Sequence, residues 1–435
     1  MSKAQDKLLS KALPTVLFTI FIDVLGIGIL IPVLPLLVLP GPEQVIPASW
    51  SITTGFIVLG WLTAIYPLMQ FIATPILGQL SDKYGRRKVL SLSLLGTAIG
   101  YFLFAVGVVT KNLPLLFAAR ALDGITGGNL SVAQAVIADV SPPEKRTRNF
   151  GLIGAMFGLG FVLGPYIGAK LASPGINFYG LFDTPSWFGA ATPFWFTGIL
   201  SLINVLLVFF LLPETLKIRN KLLDLHPAQA FRNIMKAVTY PGLRVVFPSV
   251  FLYWGGFTFF TTFFQVLLIQ KLGFVQNNVG DYFAFIGICI AVTQGAITPL
   301  VAKHFKNYQV LRVSMVGTGL SLFALLFAHN TTELLLVTPF FAMFNGLTIA
   351  NLTSLVSNSV GDDIQGEVLG INASVQALAQ AIPAAMTGYI AAIGINTPVQ
   401  VGGTIMICAG LLLWILYRPM KHMLSGKEAI AAPVH

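Results

Sequence analysis

Gly78-Gln-Leu-Ser-Asp-Lys-Tyr-Gly-Arg-Arg-Lys-Val-Leu90 is a short, densely charged stretch held between two long apolar runs. Asp82 lies among Lys83, Arg86, Arg87 and Lys88, and Gly78 and Gly85 bracket it with backbone free to turn tightly. A connector this short makes the two runs antiparallel neighbours, and its cations belong at a membrane surface. The charge alone suits the basic turn of any membrane protein. The spacing of glycine, aspartate and the Gly-Arg-Arg-Lys run is more particular.

The composition around it excludes an ordinary soluble domain. Of 435 residues, 55% are hydrophobic and 10% charged, against about a quarter charged in soluble chains, and the mean hydropathy is +0.81. The net charge of +10 does not point to nucleic acid, because the cations fall in short connectors and not along one polar face. Cys289 and Cys408 lie inside apolar runs with no neighbouring His or Cys, so neither a metal nor a disulfide is expected. The N-terminal lysines precede an apolar stretch without a small-residue cleavage site, which predicts a retained first helix.

A bilayer core needs about 20 apolar residues per helix. Runs of that kind predict spans at 14–38, 51–77, 88–109, 114–140, 149–172 and 192–212. After a polar stretch come 243–268, 278–301, 309–328, 332–360, 367–393 and 398–418. The expected architecture is therefore all-α: twelve transmembrane helices in two six-helix bundles, 1–212 and 243–435, joined by a cytoplasmic linker at 213–242. With the N-terminus inside, inner segments hold 22 of the 26 Lys and Arg, outer segments hold only Lys111, Lys170 and Lys271, and Arg120 lies within a span. That asymmetry predicts both termini in the cytoplasm. The halves also look like diverged copies, with Arg148-Asn-Phe-Gly151, Pro165 and Gly168 answering Glu367-Val-Leu-Gly370, Pro383 and Gly388. Repeated halves suit a pathway between them that opens to alternate sides.

The opening stretch resembles the loop between helices 2 and 3 of the major facilitator superfamily of transporters. Three further stretches carry the same resemblance. Phe21-Ile-Asp-Val-Leu-Gly-Ile-Gly-Ile-Leu-Ile-Pro-Val-Leu-Pro35 looks like the first-helix motif of proton-driven drug exporters. Ala119-Arg-Ala-Leu-Asp-Gly-Ile-Thr-Gly-Gly128, running on to Ile137-Ala-Asp-Val140, resembles the span-4 motif with its membrane arginine. Gly160-Phe-Val-Leu-Gly-Pro-Tyr-Ile-Gly168 resembles the span-5 motif of the antiporters. The first half is similar to the tetracycline and multidrug proton antiporter group, whereas the second half shares only its architecture. That group carries further acids in helices 3 and 9, where span 3 here has Gly100 and span 9 has none. The resemblance therefore does not extend to tetracycline as substrate.

Inside the spans, Asp23, Arg120 and Asp123 are the ionisable residues away from the ends. A charge at membrane depth is costly, so each is a functional candidate. Asp23 lies about nine residues into span 1, ~14 Å deep at 1.5 Å per residue, near the middle of a ~30 Å core. Arg120 and Asp123 are i,i+3 neighbours that can pair along one face, and the resemblance places helices 1 and 4 on a common cavity. Burial favours a neutral carboxyl and a guanidinium favours the carboxylate, so protonation can follow conformation. The competing readings are a structural ion pair at Arg120–Asp123 and a backbone-bonded Asp23 at a helix break near Gly26 and Gly28.

Span 7 reads Tyr253-Trp-Gly-Gly-Phe-Thr-Phe-Phe-Thr-Thr-Phe-Phe-Gln265. Its Tyr253, Trp254, Phe257, Phe260 and Gln265, with Asn345, Asn351, Asn372 and Gln376 from spans 10 and 11, are candidates for a substrate cavity. Lipid-facing or core packing explains the aromatic stripe equally. Gly160, Gly164, Pro165 and Gly168 suit a hinge or a leak-proof helix contact, as the resemblance implies, or plain small-residue packing. The resemblance further implies that Asp82, Arg86 and Asp139, with Gly78 and Gly85, form a charge network latching the two halves on the inside. Asp362-Asp363 has no second acidic cluster beside it, and no Gly-Lys-Ser/Thr phosphate loop occurs, so neither enzyme chemistry nor nucleotide drive is expected.

Taken with the resemblance, the expectation is a monomeric, multi-pass protein of a bacterial inner membrane. Its partners are protons, a small amphiphilic substrate and the bilayer, with no cofactor and no nucleic acid. A sugar or metabolite symporter is the alternative within transport, though it asks for a denser polar lining in spans 7–12. A non-transporting membrane sensor is the alternative of another class, though it asks for a larger signalling domain.

Overall fold

A chain in hydrocarbon has no water to satisfy its backbone, so each apolar run must bond to itself and becomes a helix. The computed structural model describes residues 3–141, 143–178, 182–216, 232, 235, 239–240, 242–360 and 365–418. Spans 1 to 3 are the helices Lys3–Val38, Ile52–Tyr84 and Arg86–Val109. Span 4 is two helices, Leu113–Thr126 and Asn129–Val140, and spans 5 and 6 are Pro143–Leu171 and Thr192–Leu211. Spans 7 and 8 are Val246–Leu272 and Gln276–Ala302. Spans 9 to 12 are Asn307–Leu326, Thr331–Asn358, Gln365–Ala391 and Thr397–Leu416. Eleven of the twelve are single segments long and apolar enough to cross a membrane, and the broken span 4 is the twelfth. The β structure among the described residues is one two-residue antiparallel pair, Asn177–Phe178 with Phe182–Asp183. Most of the expected linker 213–242, the Asp362-Asp363 pair and the tail from 419 lie outside the described residues.

The charged stretch that opened the sequence is helical on both sides of a single residue. Span 2 runs on to Tyr84 and span 3 starts at Arg86, leaving Gly85 alone at φ 101° and ψ 146°. That backbone is one that side-chain-bearing residues rarely adopt, and it makes Asp82 and Arg86 near neighbours, i and i+4. Polar caps set other boundaries. The Ser51 hydroxyl accepts the Thr54 N–H at 3.1 Å, and the Asn112 carboxamide oxygen accepts that of Leu115 at 3.0 Å.

Helix neighbours repeat between the halves. Span 1 packs on span 5 as span 7 packs on span 11, and span 3 packs on spans 4 and 6 as span 9 packs on 10 and 12. Across the halves, span 2 meets span 11 and span 5 meets span 8, which is the same contact seen from either half. Both crossings sit toward the end of the bundle opposite the chain's N-terminus, here the far end. There one apolar core runs from Leu34, Phe56 and Phe104 into Phe263, Val266 and Ala391 of the second half. At the N-terminal end, the core around Val16, Leu94 and Val136 is built, among the described residues, from the first half.

Missing side chains let the far-end seam close. A Cβ on Gly60 would stand 2.7 Å from the Ala384 carbonyl oxygen, and Gly388 likewise faces the backbone of Phe56 and Ile57. Gly280 and Gly287 of span 8 fit against Ala169 and Val162 of span 5. Such stripes of small residues let helix backbones approach closely in a membrane. Polar contacts complete the seam: Lys170 Nζ meets Asp281 Oδ1 at 3.0 Å, and Trp61 Nε1 donates to the Tyr389 hydroxyl at 3.2 Å. Lys170 also donates to Asn277, and Gln276 to the Pro32 carbonyl.

Gly388→Val should wedge this seam open. In a background carrying Trp61→Cys and Tyr389→Cys, a bifunctional thiol reagent about as long as the two side chains it replaces should cross-link the parent and leave the valine variant several-fold less cross-linked. Equal cross-linking in both would show that the glycine contact does not govern closure.

Candidate functional site

Span 4 is bent into service by two consecutive glycines. Gly127 and Gly128 carry no Cβ because span 2 leaves no room: one on Gly127 would reach the Tyr66 hydroxyl at 2.5 Å, and one on Gly128 would reach Thr74 N at 2.9 Å. The break frees backbone groups, which is tolerated at membrane depth only where protein satisfies them. Gln70 Nε2 donates to the Gly127 carbonyl at 2.8 Å, Ser131 Oγ to the Gly128 carbonyl at 2.9 Å, and Ser93 Oγ to that of Thr126.

Just before the break, Arg120 Nη1 donates to Asp123 Oδ2 at 2.8 Å, with both side chains buried. Gly100 of span 3 makes room for the acid, since a Cβ there would lie 3.2 Å from Asp123 Cβ. The Tyr66 ring lies under the guanidinium, 4.5 Å from its centroid. Just after the break, Asn129 stands beside the half-buried Asp23 of span 1, which is in electrostatic reach of Asp123. The Tyr101 hydroxyl comes down on Gly26. The structure thus brings Asp23, Arg120 and Asp123 together and adds Tyr66, Tyr101 and Asn129. An Asn following a double glycine was the one sequence signal for this addition. The two tyrosines carry none.

Between the halves, two adjoining cavities share Ile31, Phe161, Trp254, Phe257 and Thr261 in their walls. Arg120 and Gln265 line the first, and Phe260 and Asn345 the second. Of the remaining cavity candidates, Tyr253 is buried behind the wall, its hydroxyl donating to Asn345 Oδ1 at 2.5 Å. Asn351, Asn372 and Gln376 do not line either cavity. The wall residues that sequence reasoning missed include Phe161, Gln380 and Gln294. Gln294 lies in a π-helical turn, Thr293–Ile297, inside span 8. Such turns concentrate at functional positions but carry no sequence signature.

The glycines of span 5 divide by what they face. Cβ atoms on Gly160, Gly164 and Gly168 would meet Val24 Cβ at 2.7 Å, the Leu25 carbonyl oxygen at 2.7 Å and that of Ile29 at 2.6 Å. Pro165 packs on Gly28 of the same span 1. This stripe is a close contact between two helices of one half. Gly154 and Gly158 instead line the second cavity, opposite Gln294.

At the N-terminal end, Arg86 is almost fully buried. Its Nη1 meets Asp82 Oδ1 at 2.5 Å and Ser81 Oγ at 2.6 Å, and its Nε meets Asp139 Oδ2 at 3.1 Å. Two residues beyond span 6, not foreseen, complete the cluster. Thr215 Oγ1 donates to Asp139 Oδ2 at 3.1 Å, and Glu214 Oε1 accepts the Arg86 backbone N–H at 2.9 Å. These contacts tie spans 2, 3 and 4 to the end of span 6. Among the described residues, the contacts of this cluster stay within the first half. Gly85 sits against Glu214, whose Cδ would be 2.9 Å from an added Cβ.

Gly85→Ala should cost roughly 1–3 kcal/mol, the usual range for a strained backbone position, and lower the melting temperature of the detergent-solubilised protein. An unchanged melting temperature would mean that the junction relaxes and that the φ of 101° is not required.

Comparison with known proteins places this geometry in context. The family model described as Major Facilitator Superfamily matches residues 16–384 and 246–433. The class C tetracycline resistance protein of Escherichia coli is 32% identical over 382 residues, covering 85% of this chain and 87% of its own. The crystal structure of the human organic anion transporter MFSD10 (TETRAN) superposes with a TM-score of 0.69 at 22% identity, covering 93% of this chain and 99% of that one. The D-xylose-proton symporter does so with a TM-score of 0.72 at 18% identity, covering 96% and 99%.

Proposed function

The chain belongs to the major facilitator superfamily, and from that premise we propose that it exports a small amphiphilic compound in exchange for protons. It is a transporter and not an enzyme. The observation that carries the finer reading is one-sidedness: Asp23, Arg120 and Asp123 gather in the first half, and Arg120 of this cluster lines a cavity whose facing wall carries aromatic rings, threonines and amides. A proton-coupled carrier needs a titratable group at membrane depth, and a carboxyl there is worth its desolvation cost only if it works. The relative named for tetracycline resistance supports export of a drug-like compound.

In this reading the N-terminal end faces the cytoplasm of a bacterial inner membrane, as the cation asymmetry argues, and one chain suffices. The closed far-end seam then makes this the inward-facing state. Transport proceeds when the seam parts and the N-terminal end closes in its place, one half rocking on the other around the fixed cavity. The Asp82–Arg86–Asp139 cluster serves this cycle by keeping the first half rigid at the end that must open and shut.

Asp23→Asn should abolish accumulation against a gradient, because an amide cannot take up and release a proton. Downhill exchange should persist, since the cavity keeps its size. Counterflow and uphill uptake in proteoliposomes separate the two. Uphill uptake with the parent's pH dependence would move the coupling site away from Asp23.

A further inference from the structure

Among the described residues, the walls of the two cavities hold a single charged side chain, Arg120. Asp123 is spent on it from behind, and Asp23 does not line either cavity. A guanidinium carries five N–H donors in a rigid plane. Asp123 takes a bond from Nη1 only, and the buried Nε has no partner. The residue lines the first cavity at 5% exposure, so what it binds there is held away from bulk solvent. Tyr66 covers one face of the plane, which fixes the fork and leaves its edge as the usable side.

Among the described residues, the other half contributes no acid to these walls. Gln265 is 1% exposed and gives its Nε2 to the Thr262 carbonyl at 3.0 Å, leaving Oε1 without a partner. Beside Thr258, Thr261 and Thr262 stand stepped aromatic rings. Trp254 meets Phe257 edge to face at 5.7 Å, and Phe257 meets Phe161 at 6.4 Å and 73°.

We infer that this cavity selects amphiphiles whose polar end is a carboxylate or a similar planar anion, seated on Arg120, with a flat apolar body against Trp254, Phe257 and Phe161. The inference rests on the reading of this cavity as the substrate site. A carboxylate matches the guanidinium edge with two parallel bonds, and charge-assisted bonds of that kind are the strong ones. A permanent cation would meet no carboxylate on the walls, and a guanidinium N–H has nothing to offer it. Aromatic faces are the one attraction the cavity offers it. A neutral amphiphile falls between the two.

Three probes sharing a naphthalene body test this: 2-naphthoate, its methyl ester, and (2-naphthylmethyl)trimethylammonium. Each is titrated calorimetrically into the purified full chain in detergent. The expected order is carboxylate, ester, ammonium, with roughly tenfold between the first two. In the double variant Arg120→Gln, Asp123→Asn, which strands no buried charge, carboxylate and ester should bind equally. An ammonium that binds the parent as tightly as the carboxylate overturns the inference and leaves the cavity reading standing, as does an anion preference that survives the double variant. If none of the three binds, or if Trp254→Ala changes none of the affinities, the cavity reading falls and the inference with it.

Discussion

An ion pair inside hydrocarbon dictates terms to everything around it. Arg120 and Asp123 lie 2.8 Å apart with both side chains nearly inaccessible, and stranding either one would cost several kcal/mol. The surrounding helices are shaped to prevent that. Span 3 withdraws its side chain at Gly100, span 2 presents the face of Tyr66, and span 4 breaks at Gly127–Gly128 instead of running straight. The break brings Asn129 to Asp23, so a second carboxyl joins the cluster from span 1. The freed carbonyls are then taken by Gln70, Ser93 and Ser131. One buried pair thus fixes the local course of four spans.

The halves obey a different constraint. Helices that meet in a membrane must approach closely to gain packing. At the far-end seam glycines lie against backbone, at Gly60 and Gly388 and at Gly280 and Gly287, around the apolar core that Phe56 and Phe263 share, with Lys170–Asp281 at the rim. The N-terminal end, by contrast, is stiffened inside one half by Arg86 and its four oxygen partners on Ser81, Asp82, Asp139 and Glu214. Halves that are each rigid suit a rocking motion of one on the other.

Much of this was legible in the sequence because the bilayer punishes deviation. Twelve apolar runs, one Arg–Asp pair at i,i+3 and one Asp in span 1 leave few arrangements, and the structure brings these residues into one cluster. What escaped was set by partners far along the chain. Glu214 reaches Arg86 across 128 residues, and nothing local to Pro213-Glu214-Thr215 announces it. Gly127–Gly128 reads as small-residue packing until Tyr66 and Gln70 are seen on the other side. The aromatic stripe of span 7 also divided in a way that periodicity does not foretell. Trp254, Phe257 and Phe260 line the cavities, while Tyr253 and Phe264 pack behind them.

We propose that a proton gradient drives compounds through this cavity. Uptake of a panel of amphiphilic drugs into inverted membrane vesicles, with the interior made acid, tests this. Accumulation should exceed that in vesicles lacking the protein and collapse when an ionophore dissipates the pH difference. Accumulation that persists unchanged after the gradient is gone would contradict it.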